Sequence, residues 1–229
     1  MPLQLTTRHL GETVLVECSG RIAAGDAVET LQAEVKHLMR HPHHLVLNLG
    51  DVSFLDSSGL GALVRLQVST RAAGRNLCLC CVPDMVRKTL KLTNVLSLFL
   101  TFDTETDAIR AVHTALQSKD GSRESSGPPV LCLEESADVR AYLGELLRRA
   151  GYWPLVSSSL HDALLLQKAL RPKTIVLGSE RLTAHGRPAR EALVQVDPSV
   201  RVIELEAGFC QQDAGEAGER LLQALRSSQ

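Results

Sequence analysis

The sequence predicts an α/β protein of two domains in tandem: a mixed sheet with packed helices in residues 1–117, then a truncated, parallel, doubly wound sheet in residues 130–229. Three observations predict it. Short apolar runs alternate with stretches whose apolar residues recur at helical spacing, the pattern of strands followed by helices. A turn at Gly11 joins the first two runs, which places an antiparallel hairpin ahead of that alternation. The stretch 118–129 (SKDGSRESSGPP) carries no large apolar residue and ends in a Gly-Pro-Pro that suits neither a helix nor a sheet interior, so it reads as a flexible linker.

In the first domain, residues 3–7 and 12–18 form the hairpin. Val28, Leu31, Val35 and Leu38 mark a helix over 26–40, and LVLNL (45–49) is a buried strand followed by a short loop. A helix runs from Ser57 to about Ala73, with Leu60, Leu63, Val64 and Val68 as its apolar stripe and Gly74 as its stop. LCLCCV (77–82) is a second buried strand, Val86, Leu90 and Leu92 mark a short helix begun at Pro83, a strand lies near 97–102, and 103–116 is a closing helix.

After the linker the alternation is regular. Strands at 130–134, 154–157, 174–177 and 200–205 alternate with helices. The first helix carries Val139, Tyr142, Leu143, Leu146 and Leu147 and stops at Gly151. The second spans 160–170, with Ser159 and Asp162 as a capping pair; the third begins near Pro188 and ends at 196, and the last spans 214–227. Four β-α units in a row imply a parallel sheet wound on both faces.

Composition excludes several classes of function. Lys+Arg and Asp+Glu nearly balance at 25 against 26, and neither half holds a basic excess, so a nucleic-acid partner is disfavoured. Aromatic residues are 3% of the chain, too few for a base-stacking platform. No apolar run approaches the ~20 residues of a membrane span, and the start lacks the pattern of a signal peptide, so a cytoplasmic location is expected. Cys18, Cys78, Cys80, Cys81 and Cys132 fall on strands, where a free thiol behaves as a small hydrophobe, and their spacing is not that of a zinc site. His41-Pro42-His43-His44 sits in a helix-to-strand loop with no carboxylate or thiolate nearby, and reads as solvated. No cofactor or metal is expected. A nucleophile elbow, a Walker loop and paired metal motifs are all missing, so an enzyme is the weakest reading.

The chemistry of interest lies in Val52-Ser53-Phe54-Leu55-Asp56-Ser57-Ser58-Gly59-Leu60-Gly61. Asp56 is a good N-cap, and Ser57 falls in the first helical turn, where unpaired amides and about +0.5 charge favour an anion. Gly59 and Gly61 leave the helix start without side-chain bulk, so another protein's backbone can come close. A phosphate on Ser57 would add about −1.5 to −2 charge beside Asp56. One unit of like charge at 4 Å costs ~4 kcal/mol at an effective dielectric of 20, which changes an affinity by about three powers of ten. The residues alone leave two readings open, a phosphate switch or a plain helix cap.

LVLNLGDVSFLDSSGLGALVRLQVSTRAAGRNLCLC, together with Gly20-Arg21-Ile22 and VRKTLKLTNVLSLF (86–99), resembles the anti-sigma-factor antagonists of the STAS family over nearly all of residues 1–117. The resemblance implies a STAS-type fold and a partner-switching cycle. The unmodified protein binds an anti-sigma factor that is commonly also its serine kinase; phosphorylation of the serine after the Asp, here Ser57, breaks the complex; a serine phosphatase restores it. The implied partner-binding residues are Asp26, Asp56, Ser57, Ser58, Gly59, Leu60 and Gly61. Asp26 is a displaced match, since the chain reads Arg21-Ile22-Ala23-Ala24-Gly25-Asp26 where relatives carry an Asp sooner, and a helix-capping role competes for it.

Residues 130–229 resemble a response-regulator receiver, with Glu134-Glu135 where receivers hold magnesium. The departures fall on the chemistry. Gly178-Ser179 follows the third strand where the phosphate-accepting Asp belongs, Glu206 replaces a hydroxyl after the fourth, and one strand-helix unit is missing. This half reads as a pseudo-receiver used for docking or homodimer formation, with ligand sensing as the alternative. For the whole chain, the alternative to a switchable antagonist is a constitutive STAS scaffold or adaptor whose Ser57 is never modified.

Overall fold

A computed structural model describes residues 1–11, 13–40, 44–119, 127–178, 183–184, 187–206, 209 and 214–226. The chain divides into two compact units, Met1–Thr114 and Ala115–Gln229. Within the stretch read as a linker, residues 118 and 119 continue a helix and Pro129 opens a strand. Proline is tolerated there because it is the first residue of that strand.

Unit 1 contains β1 (Gln4–Leu10), β2 (Thr13–Ile22), α1 (Asp26–Leu38), β3 (His44–Leu55), α2 (Ser57–Ala72), β4 (Leu77–Cys80), α3 (Asp84–Leu92), a 3-10 turn (Leu96–Leu98), β5 (Leu100–Phe102) and α4 (Glu105–Lys119). The sheet order is β1-β2-β3-β4-β5. β1 and β2 are antiparallel, while β2–β3, β3–β4 and β4–β5 are parallel, so the sheet is mixed as expected. Alternate strand residues face opposite sides. Val14, Val16, Leu45, Leu47, Leu77 and Leu79 pack with α1, α2 and α3 through Leu31, Val35, Leu63, Leu66, Val86 and Leu90. Leu15, Val46, Cys78 and Cys80 are equally buried on the other side, which α4 covers with Ala108, Ile109 and Val112.

Two sequence readings in this unit are corrected. β3 does not end near Leu49. It runs on to Leu55, because β2 also continues and pairs with it through Ser19↔Asp51, Gly20↔Val52, Arg21↔Phe54 and Ile22↔Leu55, with irregularities of register between Glu17 and Ser19 and between Gly20 and Arg21. The buried face of α2 is Gly59, Ala62, Leu63, Leu66 and Thr70. Val68, placed on the stripe by its spacing, is 61% exposed. This helix carries apolar residues on more than one face, so periodicity alone selects the wrong set.

Unit 2 contains β6 (Pro129–Leu133), α5 (Ala137–Arg149), β7 (Trp153–Ser157), α6 (Leu160–Leu170), β8 (Thr174–Leu177), a two-residue pair β9 (Thr183–Ala184) and β10 (Arg187–Pro188), α7 (Ala189–Val196), β11 (Arg201–Glu204) and α8 (Ala214–Arg226). Its main sheet runs β11-β8-β6-β7 and is parallel throughout. Val130, Cys132 and Val176 pack with Leu143 and Leu147 of α5 and Leu221 and Leu225 of α8. The alternate residues Leu131, Leu133, Ile175 and Leu177 are buried too. They face α6 and α7, which are joined where the Gln167 amide donates to the Leu193 carbonyl at 2.9 Å. Ser159 occupies the N-cap of α6 as read, though its side chain makes no cap bond. Its amide donates to Ser157 Oγ at 3.2 Å.

Candidate functional site

β3 delivers Asp56 to the N-terminus of α2, and the aspartate holds the junction by both carboxylate oxygens. Oδ1 accepts from the Gly59 amide at 2.8 Å and Oδ2 from the Ala24 amide at 3.0 Å. The first bond is the N-cap expected from sequence. The second reaches across to the β2–α1 connection, and the Asp56 amide returns to the Ile22 carbonyl at 3.3 Å. These amides, with a smaller contribution from the Arg21 charge, hold the Asp56 carboxyl below the usual carboxylate range. Asp56 is therefore a fixed negative charge.

Ser57 and Ser58 follow as the first two residues of α2, both exposed. Leu60 and Gly61 are half-buried. Gly59 is buried, which corrects its reading as an open approach for a partner. A Cβ at Gly59 would collide with the Ile22 carbonyl and the Leu55 side chain. The close approach that glycine permits here is spent on the protein's own backbone. Gly61 does face outward, but the lane it leaves is followed by the Arg65 guanidinium, whose Nη1 lies 3.3 Å from where a Cβ would sit. With its side-chain amide turned so that the oxygen faces Arg65, Gln32 accepts from the Arg65 Nε and Nη2 groups at 3.1 and 3.0 Å, linking α2 to α1.

Asp26 is the first residue of α1, exposed, and the N-cap position belongs to Gly25 (φ 93°), with no side-chain cap bond. The capping reading of Asp26 is thus corrected. It stands as an acidic residue in a first turn, on the far side of the connection that Asp56 tethers.

Sequence reasoning missed a neighbouring pair. Arg21 and Phe54 lie opposite one another in the β2–β3 register. The Arg21 guanidinium sits 4.3 Å from the Phe54 ring centroid, and the ring is 37% exposed. Arg21 stands within Gly20-Arg21-Ile22 and Phe54 within a stretch that the sequence pattern makes a loop, so only the extension of β3 brings them together.

On the opposite side of the sheet, His113 of α4 is buried, with Nε2 3.3 Å from the Thr13 hydroxyl. Burial, and to a lesser degree the nearby His44, push its pKa down to about 4. Burial pushes the thiols of Cys18, Cys78 and Cys132 up to about 12, 11 and 12, which makes them poor nucleophiles. Among the described residues no group of three His, Cys, Asp or Glu could hold a metal ion. His41 and His43 lie outside the described residues, while His44 opens β3 and its Nδ1 accepts from the Asn76 amide at 3.2 Å. No described helix is long and apolar enough to cross a membrane.

The equivalent strand end of unit 2 is arranged differently. Glu135 is exposed, but Glu134 is only 6% exposed. One Glu134 oxygen accepts from the Ser136 amide at 2.8 Å. The other lies over Gly178, where a Cβ would collide with it. Ser179 is outside the described residues, and Glu206 is exposed, with one oxygen 3.5 Å from Arg220 Nη1.

Comparison with known families identifies the first unit. Residues 4–108 match the STAS domain model. The amino-terminal half carries a STAS domain. Its homologues include an anti-sigma F factor antagonist of Paenibacillus polymyxa, 27% identical over 111 residues that make up 48% of this chain and 94% of the relative. Among solved structures, the STAS domain is similar to an anti-sigma factor antagonist from Mycobacterium paratuberculosis, with 23% identity, a TM-score of 0.44, and coverage of 48% of this chain and 93% of that one. It is also similar to the Bacillus cell fate determinant SpoIIAA in its phosphorylated form, with 24% identity, a TM-score of 0.39, and coverage of 48% and 98%. These matches cover about half of the chain, the half that contains Asp56 and Ser57.

Proposed function

We propose that this protein is an anti-sigma-factor antagonist that works by partner switching, with Ser57 as its phosphorylation site. The observation that carries the reading is the exposed Ser57 hydroxyl directly after Asp56, whose carboxylate is fixed by the Gly59 and Ala24 amides. An anti-sigma factor with serine kinase activity docks on the surface formed by Asp26, Asp56, Ser57, Ser58, Leu60 and Gly61, with Gly59 acting from beneath as the packing residue that sets the helix start. In the modification step Ser57 Oγ attacks the γ-phosphorus of a nucleoside triphosphate held by the kinase. Its proton passes to a base on the kinase, and the nucleoside diphosphate leaves. A serine phosphatase reverses the step by adding water and releasing inorganic phosphate and the free hydroxyl.

A phosphate beside an aspartate that stays ionised puts about −2.5 to −3 charge on one helix end. Charge of that density in a desolvated interface costs several kcal/mol. The modified surface therefore releases its partner while the fold stays intact. Unit 2 serves as a docking or dimerisation module, a receiver-like domain without a phosphate-accepting carboxylate. Glu134 closed over Gly178 supports that role, because the strand end where such chemistry would take place is filled from within.

The test is a pull-down of a kinase-type anti-sigma factor from the same genome. Wild type and Ser57→Ala should capture it, Ser57→Asp should not, and mass spectrometry after incubation with nucleoside triphosphate should find phosphate on Ser57. Equal capture by all three proteins, with no phosphate on Ser57, would replace the switch with the constitutive scaffold.

A further inference from the structure

We propose that Arg21 is the resident counter-ion of a phosphate on Ser57, so that modification draws its guanidinium off the Phe54 ring and changes the docking surface as well as its charge. The inference rests on Ser57 as the modified residue and adds how the surface responds. Three observations place Arg21 for the task. It is exposed, and its guanidinium rests on the Phe54 ring at 4.3 Å. Its backbone neighbour Ile22 accepts the Asp56 amide and pairs in register with Leu55, which sets Arg21 one residue from the strand position that meets the Ser57 junction. Its charge is already felt at Asp56, where it favours the ionised form.

The competing attractions decide where the guanidinium goes. An exposed cation–π contact is weak, and a charge-assisted, bidentate arginine–phosphate pair is the stronger of the two. Asp56 is the weaker competitor for Arg21, since each of its oxygens already accepts a backbone amide and it carries a single charge against about −1.5 to −2 on the phosphate. Among the described residues Arg65 also brings a cation toward this helix start, but two of its donors face the Gln32 side-chain oxygen once that amide is turned toward it. Asp26 stands in the first turn of α1 and adds no cation. In the unmodified protein the Arg21 and Phe54 pair offers a partner an apolar ring topped by a positive charge. In the modified protein the ring is bared and the positive charge is consumed.

The test uses the full chain with phosphoserine installed at position 57 during translation, so no kinase is needed. Phosphorus NMR gives the second pKa of the phosphate, ordinarily about 6. With Arg21 present it should be lower than in Arg21→Gln by roughly half a pH unit or more at low salt, and the difference should shrink as salt screens the pair. Proton NMR gives the second readout. The Arg21 side-chain protons should be shifted upfield by the Phe54 ring in the unmodified protein, an effect absent in Phe54→Leu and lost on phosphorylation. An identical phosphate pKa in wild type and Arg21→Gln, or an Arg21 ring-current shift that survives phosphorylation, overturns the proposal. Because the phosphate is built in, either outcome is independent of whether a kinase recognises Ser57.

Discussion

The two units each bring an acidic residue to the end of a buried parallel strand where a helix begins, and they use it in opposite ways. Asp56 turns both oxygens onto its own backbone and leaves the next residue, Ser57, exposed. Glu134 folds inward over Gly178, and the space above that strand end is taken by the protein's own carboxylate. A strand-end carboxylate therefore says little about function by itself. What separates a modifiable site from a closed one is whether a reactive group beside the carboxylate reaches solvent.

The sharpest way to break this comparison is through the two glycines. Gly59→Ala forces a methyl group into the Ile22 carbonyl, which belongs to a paired strand and cannot step aside, so unit 1 should lose about 1–3 kcal/mol or more. Gly178→Ala meets chiefly the end of the Glu134 side chain, which can swing out, so its cost should be smaller. The single tryptophan, Trp153, is buried in unit 2. Its fluorescence in a urea titration follows unit 2, and amide NMR signals follow unit 1. A larger loss for Gly178→Ala than for Gly59→Ala would contradict the assignment of rigid and yielding neighbours.

Acid should act on unit 1 through His113. Its folded pKa, about 4, lies below the ordinary 6.5, so the fold keeps it neutral while the unfolded chain takes up a proton. The neutral form's contribution is complete above pH 6.5 and falls as pH drops toward 4. The loss is on the order of 3 kcal/mol at pH 4, because each tenfold change in proton affinity is worth about 1.4 kcal/mol. The pH slope of unit 1 stability between 6.5 and 4.5 should flatten in His113→Gln, as read from urea midpoints at each pH. A slope unchanged by that substitution would remove the histidine as the source of acid sensitivity.

Asp56→Ala should cost unit 1 about 1 kcal/mol, the typical worth of an N-cap, with some added loss from the Ala24 tether. Ser57→Ala should change stability by no more than about 0.5 kcal/mol, since the side chain is exposed and holds nothing in place. Urea midpoints of the two variants measure both. The contrast between adjacent residues sharpens the division of labour at this turn: Asp56 positions and Ser57 is available.

Much of this is legible in the sequence, and the misses have physical causes. The order of strands and helices follows from apolar periodicity, and Asp56 as a cap from residue type and place. The length of β3 does not. Gly50-Asp51 breaks the apolar run, and only pairing with the far end of β2 keeps the strand extended to Leu55. That pairing in turn creates the Arg21 and Phe54 contact, so missing the strand means missing the pair. The inward turn of Glu134 is hidden for a similar reason. It depends on the empty Cα face of Gly178, a residue 44 positions away at the end of a different strand.

If Ser57 is a phosphoacceptor whose modification ends partner binding, one measurement tests it directly. The full chain is incubated with a kinase-type anti-sigma factor of its genome and a nucleoside triphosphate, and site-resolved mass spectrometry is run alongside native measurement of the complex. The expected result is phosphate on Ser57, loss of the complex in step with that phosphate, and a persistent complex for Ser57→Ala. A complex that persists with Ser57 fully phosphorylated, or that dissolves equally with Ser57→Ala, would contradict it.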